Sequence, residues 1–492
     1  MKRNLLTGTL ALLLISAAVT SIGCGDASTD TGAVTQAPDA GNTTETAAVT
    51  EKIYAHDLGS YDFGGETFTI YARQLMHLNS AMHAEAADGT TLNDALYERN
   101  VRLMEQYNFK FEEIFEENDT KQARLAVMAG EDTYDIINTR CVYAFNYAME
   151  GLLRPVSDLP EIDLSKPYWD KELTDAMSIG NVPFFAVGAF NTSGYEYTHL
   201  LAFNKELAAN NDFDVYGTVK DGSWTFAAMR EMMKTVVADI NGDGTMDRQD
   251  RYGLLSAAKQ ILPCFWIAAD QESMKMDAND YPTYSLLSDE QFQTVFVEIF
   301  DLVYDSNVWH QYTDDENVHP EEVNMFIGGQ GLFIDMPVFY LETLRAMDTD
   351  FGLIPYPKYD EAQTEYYSRI EGCEQTCIPV TNVKDLEMTG VILEAMASDS
   401  AQNLVPAFYE TLLKSKHTRD NESEDMLEIV FGNRVFDWGD TVYCPELRDG
   451  QFSPMMKKNN RDIASVAAKQ EKTMTKKIAD AIAAFEELNN EG

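Results

Sequence analysis

Residues 109–138, FKFEEIFEENDTKQARLAVMAGEDTYDIIN, read as a strand, a helix and a second strand. FKFEEIF is the first strand. TKQARLAVMAG is a helix that stops at Gly130, and YDIIN is short, apolar and buried. Working upstream, ETFTIYA (66–72) alternates Phe68 and Ile70 with Thr67, Thr69 and Tyr71, a strand pattern. After a turn at Asp88-Gly89, a helix is predicted over 93–107, with Leu96, Tyr97, Val101, Met104 and Tyr107 along one face. Strands alternating with helices predict an α/β lobe built on a largely parallel sheet.

Downstream, GNVPFFAVGAF (180–190) and YEYTHLLAFNKELAANN (195–211) predict strands leading into a helix. WTFAAMREMMKTVVADI (224–240) is an amphipathic helix with Thr225 as its N-cap. Helices are also predicted at 288–305 and 320–327. GQGLFIDMP (329–337) is a strand, and DFGLIPYPKYD (350–360) is another with a proline-fixed exit. The chain ends in a long helix whose stripe carries Ile463, Val466, Ile478, Ile482 and Phe485. There is no internal repeat. A chain of 492 residues with 45% hydrophobic residues is long enough for two lobes.

The first residues, MKRNLLTGTLALLLISAAVTSIGC, combine a basic start, an apolar stretch and small residues before Cys24, the layout of a secretory signal. Ser21-Ile22-Gly23-Cys24 is similar to a bacterial lipobox, with Ser21 at the position usually held by Leu. We therefore expect residues 1–23 to be a signal peptide and Cys24 to be acylated. Residues 24–52 lack aromatic residues and are rich in Thr, Ala, Gly and Asp, which predicts a disordered tether. The expected location is the outer face of the cytoplasmic membrane, held there by the lipid anchor.

The chain has 81 acidic and 37 basic residues, a formal charge of −44; loss of Lys2 and Arg3 with the signal would bring it to −46. Such a balance argues against nucleic-acid binding, which needs basic patches, and against adsorption to anionic lipid. Beyond Cys24, the cysteines are Cys141, Cys264, Cys373, Cys377 and Cys444. An odd number, widely spread, is not a disulfide framework; free buried thiols are expected, although Cys373 and Cys377 are near enough in sequence to pair.

A set of phrases in fixed order resembles the extracellular solute-binding proteins of ATP-binding-cassette importers, the carbohydrate type related to maltose-binding protein. They are LNDALYERN (92–100), YDIINTR (134–140), GLLRPVSDL (151–159), LAFNKEL (201–207), DGSWTF (221–226), DINGDGTMDRQDRYGL (239–254), GQGLFID (329–335) and DFGLIPYPKYDEAQTEYY (350–367). The lipobox and tether fit members of that family in Gram-positive bacteria. The resemblance implies a periplasmic-binding-protein-like fold, two α/β lobes joined by crossovers with a ligand cleft between. It places lobe 1 at 53–185 and 330–381 and lobe 2 at 186–329 and 382–492, with crossovers near Val182–Ala189, Gly328–Phe333 and Thr381. The implied partners are a small solute, a mono- or oligosaccharide, and the membrane permease of the importer; the protein is expected to be a monomer.

Asp239, Asn241, Asp243, Asp247 and Asp250 stand at positions 1, 3, 5, 9 and 12 of a calcium-loop pattern. Gly244 is at position 6, and Thr245 offers its carbonyl at position 7. Asp at position 12 has a shorter reach than the usual Glu. A structural calcium ion is expected, the alternative being an Asp/Asn/Gly turn without an ion; no organic cofactor is expected. Candidates for sugar contact, near predicted strand ends and cleft loops, are Arg73, Arg140, Tyr143, Asn191, Tyr195, Trp266, Asp335 and Phe339. Arg140 follows the strand YDIIN, where parallel-sheet sites form. The resemblance places Asp335-Met336-Pro337 in a cleft loop. Trp169 and Trp224 read as packing residues. There is no HExxH and no Gly-x-Ser-x-Gly, so an enzyme is not expected. The rival readings are a secreted glycoside hydrolase and a polymer-binding surface module.

Overall fold

The computed structural model describes residues 54–491 apart from 75–81, 118, 305–307, 312–319 and 414–420. The signal segment, Cys24 and the tether lie outside the described residues. Five strands come first: β1 (Glu66–Gln74), β2 (Phe109–Glu117), β3 (Ile136–Arg140), β4 (Leu153–Arg154) and β5 (Phe185–Ala186). The middle of the chain supplies β6 (His199–Asn204), β7 (Tyr252–Ser256), the small pair β8 (Lys275–Met276) and β9 (Pro282–Thr283), β10 (Trp309–Gln311), β11 (Gly331–Pro337) and β12 (Phe351–Ile354). Last come β13 (Ser368–Arg369), β14 (Glu374–Pro379) and β15 (Arg434–Val435).

The first sheet has the order β2-β1-β3-β14-β4, with β5 also on β14. β1 is parallel to β2 and β3, while β14 is antiparallel to β3, β4 and β5. The second has the order β10-β7-β11-β6-β12; β7, β10 and β11 are parallel, and β6 is antiparallel to both β11 and β12. Both sheets are therefore mixed, where the sequence pattern predicts largely parallel ones. The parallel part is the predicted βαβ unit. In the first sheet β14 runs the other way, and in the second β6 does, while β12 runs with β7, β10 and β11.

The two sheets repeat one device. From β1 the chain passes through the helix Thr91–Tyr107 to β2 on one side, then through the helix Lys121–Met128 to β3 on the other. From β7 it reaches β10 on one side, then passes through the helix Pro320–Ile327 to β11 on the other. Each central strand is thus flanked by connections that diverge. That is where the carboxyl ends of an open α/β sheet leave a crevice.

Side-chain alternation sorts the cores. Phe68, Ile70, Ala72 and Ile136 face the helix Leu386–Gln402 through Val391, Ile392 and Ala395. Leu200, Ala202, Leu255, Ile334 and Met336 face Phe408, Leu427 and Val430. The opposite faces, with Tyr71 and Ile137 from the first sheet and Leu201, Phe203, Leu254 and Phe333 from the second, belong to one continuous apolar cluster. The C-terminal segment bridges the halves. Phe145 of the first half meets Trp438, Tyr443 and Phe485, while Phe452 meets Trp266 and Phe292 of the second. The described residues accordingly form one compact unit.

The lobe boundaries differ from those the resemblance implies. β11 and β12 are strands of the second sheet, so residues 331–354 do not join the first. The chain crosses at 187–198, at 355–373 and a third time after the helix Leu386–Gln402, on its way to Phe408, Leu427 and Val430 against the second sheet, rather than near Gly328–Phe333 and Thr381. The helix Leu386–Gln402 packs on the first sheet, and residues beyond 436 touch both. Strand order is a non-local property, and the apolar run GLFID reads the same in either sheet.

Several local expectations can be checked directly. Thr225 accepts from Ala228 N at 3.3 Å and caps the helix Phe226–Val236. The helix Ile463–Glu491 buries Ile463, Ile478 and Phe485 and half-buries Val466 and Ile482. The helix Thr91–Tyr107 differs: its buried face includes Arg99 and Asn100, while Val101 and Met104 are only half-buried. Arg99 satisfies its guanidinium on Asn100, Ser400 and the Met82 carbonyl. All five described cysteines are free and buried, Cys373 and Cys377 included.

Candidate ligand-binding junction

The carboxyl ends of both central strands point at the same place, the junction between the halves. Arg73 lies near the end of β1 and Arg140 ends β3. Ser256 ends β7, and Asp335 lies near the end of β11. The first two crossovers run beside each other there, with Glu371 N donating to Tyr197 O at 3.1 Å.

On the first sheet's side, Arg73 is buried; its Nε donates to Glu374 Oε1 at 3.1 Å and its Nη2 to the Tyr197 hydroxyl at 3.0 Å. Burial opposes its charge, but Glu374 more than compensates and the pKa rises. Asn191 is a strut: Nδ2 donates to Glu374 O at 2.9 Å, and Oδ1 accepts from Ser193 N at 3.1 Å. Arg140 is partly exposed and donates from Nη2 to the Glu371 carbonyl at 3.3 Å, while its Nε is buried without a hydrogen-bond partner. Gly372 makes this approach possible. It takes φ +113°, and a Cβ there would lie 3.0 Å from Cys141 Sγ and 3.4 Å from Arg140 Nε. Tyr143, one turn along the helix Cys141–Met149, is half-buried against the common core.

On the second sheet's side, Ser256 Oγ donates to Asp335 Oδ2 at 2.8 Å, and Asp335 Oδ1 lies 3.0 Å from His199 Nδ1. His199 Nε2 is 3.2 Å from Glu371 Oε2 and 3.1 Å from Arg369 Nη1. Arg369 makes a two-pronged pair with Asp440, at 2.6 and 2.9 Å, and also donates to Gln260. Arg448 lies 3.5 Å from Glu371 Oε1, 3.5 Å from Asp440 Oδ1 and 2.8 Å from Asp449 Oδ1. Burial works against a charged His199, yet the Cys264 sulfur and Asp335 carboxylate hold its pKa well above the ordinary value. Burial likewise opposes ionised Asp335 and Glu371. His199 nevertheless holds Asp335 down, and Arg369 with His199 holds Glu371 down.

His199, Cys264 and Asp335 bring their ligand-type atoms within 4.8 Å of one another. The Arg369 guanidinium sits 3.8 Å from Cys264 Sγ and also contacts His199. A like charge so close opposes a metal ion, and the trio is read as part of the hydrogen-bond network.

The remaining sequence candidates separate. Phe339 is half-buried and stacks edge-on against Tyr197 at 5.7 Å, at the junction. Asp335 lies inside a central strand, not in a cleft loop: pairing of β11 with β6 and β7 carries it there. Tyr195 turns away into Phe408, Tyr409 and Phe431, with the Arg434 guanidinium 4.6 Å from its ring centroid. Trp266 is fully buried against Phe292 and Phe452 and donates to Asp437 at 3.2 Å, a core residue rather than a sugar platform. Trp169 and Trp224 are buried, donating to Glu394 at 2.8 Å and to Pro355 O at 3.0 Å. Tyr197, His199, Arg369, Glu371, Glu374 and Arg448 were not among the sequence candidates. A histidine opening the apolar run HLLAFN, and three charges within SRIEGCE, are the signals that were there to be read.

A cavity of about 10 Å³ lined by His199, Gln260, Glu322, Asp335 and Tyr340 has room for one water at most. The larger depression, about 600 Å³ and open, lies at the opposite end of β11 around Arg248, Glu321, Asn324 and Gln330, away from this network.

The architecture has many solved counterparts. An ABC substrate-binding protein of Listeria monocytogenes, in complex with cycloalternan, aligns over 84% of this chain and 99% of its own, with 14% identity and a TM-score of 0.54. The fold is that of the substrate-binding proteins of ABC transporters. The cyclic α-maltosyl-1,6-maltose-binding protein of Arthrobacter globiformis aligns over 87% of this chain and 100% of its own, with 14% identity and a TM-score of 0.55. UgpB of Mycobacterium tuberculosis, in complex with glycerophosphocholine, aligns over 85% and 98%, with 14% identity and a TM-score of 0.53. No protein-family model and no curated protein matches the chain. Among the described residues no helix is long and apolar enough to cross a membrane.

The acidic loop 239–250 is folded on its own backbone. Asp239 accepts from Gly242 N at 2.6 Å and Gly244 N at 2.8 Å, Asn241 from Asp243 N at 2.9 Å, and Asp243 from Thr245 N at 2.8 Å. Asp247 accepts from Gln249 N at 2.7 Å. Asp250 is buried and closes the loop, accepting from Ile240 N at 2.9 Å and Asp247 N at 2.8 Å. Those amide bonds lower the Asp250 pKa.

Proposed function

We propose that the chain is a binding protein that captures a small solute, a mono- or oligosaccharide, between its two α/β halves and hands it to the permease of an ABC importer. The observation that carries this reading is the meeting of two switch points, Arg73 and Arg140 from one sheet and Ser256 and Asp335 from the other, across a pair of crossovers. The solved relatives in complex with cycloalternan and named for cyclic maltosyl-maltose support a carbohydrate. In this reading the halves part to load the solute and close to hold it. The half-buried rings of Tyr143 and Phe339 are suited to the C–H faces of a sugar, and Gln260, Glu371 and Arg140 to its hydroxyls.

The protein binds without turning its guest over. A hydrolase needs one carboxylic acid held protonated near neutrality, whereas the junction's Asp335 and Glu371 are both pushed toward the ionised form. The N-terminal Cys24, acylated, would keep the protein beside its transporter. The loop 239–250 would take a structural calcium ion through Asp239, Asn241, Asp243, the Thr245 carbonyl, Asp247 and Asp250. Its side chains already follow the ligand spacing, and an ion would offset the clustered negative charge.

Equilibrium dialysis with labelled oligosaccharides, followed by product chromatography and solution scattering, tests the reading. Unaltered sugar retained at one per chain, with a smaller radius of gyration when bound, is expected. Released fragments would establish a hydrolase, and binding with no change in radius would exclude capture by closure.

A further inference from the structure

We propose that the guest is anionic, a carboxylate or phosphate set among sugar hydroxyls, and that its negative group is seated on Arg140. This rests on the sugar-capture reading and narrows it. Among the described residues four guanidiniums meet at the junction, and three have acidic partners: Arg73 has Glu374, Arg369 has Asp440, and Arg448 has Glu371, Asp440 and Asp449. Arg140 has no acidic partner among them. It donates to the Glu371 carbonyl at 3.3 Å, and its Nε is buried and unmatched. Guanidinium stays charged at any pH the protein meets, and a charge withdrawn from water without a counter-charge is costly. Burial is the largest influence against its charge and Arg448 adds to it; Tyr197, Cys141 and Cys444 act the other way and leave the pKa raised, but none of the three is a carboxylate.

Two further features have the same sign. Arg140 is the N-cap residue of the helix Cys141–Met149, whose first turn contains no acidic residue, so the positive end of the helix dipole reinforces the guanidinium. The surrounding carboxylates are already committed: Glu374 to Arg73, Asp335 to His199 and Ser256, and Asp440 to Arg369. In a chain of formal charge −44, a central guanidinium left without an acid is a place for the ligand to supply one. Arg140 lies at the carboxyl end of the strand beside β1, on the switch point itself, and is partly exposed while Arg73 and Arg369 are buried. It is therefore the guanidinium that an incoming group reaches.

Calorimetric titration of the full chain with matched pairs tests this: glucuronate against glucose, galacturonate against galactose, and glucose 6-phosphate against glucose. The charged member of a pair should bind on the order of 100-fold more tightly, with the margin shrinking as salt is raised; the uronate and phosphate arms tell which anion it is. Arg140→Gln should erase the margin, and Arg140→Lys should retain part of it. Because Arg140→Gln removes an uncompensated charge, its melting temperature should equal or exceed wild type, so a folding defect would itself count against the proposal. Equal binding of neutral and charged partners, or a margin that survives Arg140→Gln, overturns the anion assignment and leaves sugar capture standing. No binding by any member overturns both.

Discussion

Replacing Glu374 with Gln should strand the Arg73 guanidinium inside the protein. Arg73 is 5% exposed and Glu374 0%, so neither charge has solvent to fall back on. Removing one member of such a pair typically costs about 3–5 kcal/mol, because the survivor stays charged and buried. The Gln carbonyl can still accept one bond, and Tyr197 keeps its own at 3.0 Å; we therefore expect a loss of about 3 kcal/mol. At a urea slope of about 3 kcal/mol/M, the unfolding midpoint falls by roughly 1 M. Arg73→Met should cost a similar amount, by leaving the Glu374 carboxylate without its cation. The double variant, with both charges gone, should regain about 2–3 kcal/mol over the sum of the singles. Urea unfolding of the four proteins, followed by tryptophan fluorescence, measures the cycle. Loss below about 1 kcal/mol for Glu374→Gln, or simple additivity, would refute the claim that this pair holds the end of β1 to the start of β14.

Three further outcomes follow from other parts of the molecule. Calcium at 100 times its dissociation constant should raise stability by about 2.7 kcal/mol, and Asp239→Asn with Asp243→Asn should abolish the thermal shift; identical melting in calcium and in chelator would rule the ion out. Glu113, whose pKa burial pushes up to about 7 even though it accepts from Met82 N and His83 N, binds a proton more readily folded than unfolded. Its contribution is therefore favourable below about 4.5 and lost as pH rises through about 7. After discounting for partial exposure, this amounts to about 2 kcal/mol, and Glu113→Gln should flatten the stability profile between pH 5 and pH 8, measured by urea unfolding. Trp266→Ala should cost about 3–5 kcal/mol of stability while leaving the sugar dissociation constant of the folded protein near wild type, and a selective loss of binding would restore Trp266 to the ligand site.

The candidate site, the junction between the halves, divides according to how local each signal is. Arg73 and Arg140 could be picked from the sequence because they lie at the carboxyl ends of readable strands, and strand ends of a βαβ unit are where crevices form. Trp266 and Tyr195 looked equally suitable by residue type, yet one is walled in by Phe292 and Phe452 and the other by Phe408 and Phe431. An aromatic ring suits a core and a sugar equally well, and only its neighbours distinguish the two. His199, Arg369, Glu371 and Arg448 come from 199, 369, 371 and 448 in the chain, with no spacing to connect them. They form a network only because two crossovers and the C-terminal segment converge on one point.

By itself, then, the sequence determined the alternation of strands and helices, the Thr225 cap, the stripe of the last helix and the acidic loop. All of these are set by contacts a few residues apart, where side-chain periodicity and backbone preference act directly. Tertiary structure alone decided which sheet receives GLFID, where the chain crosses, and which guanidinium is left without an acid. Those outcomes depend on pairings across tens to hundreds of residues. Burial then turns an ordinary arginine or carboxylate into either a satisfied strut or a charge awaiting its counterpart.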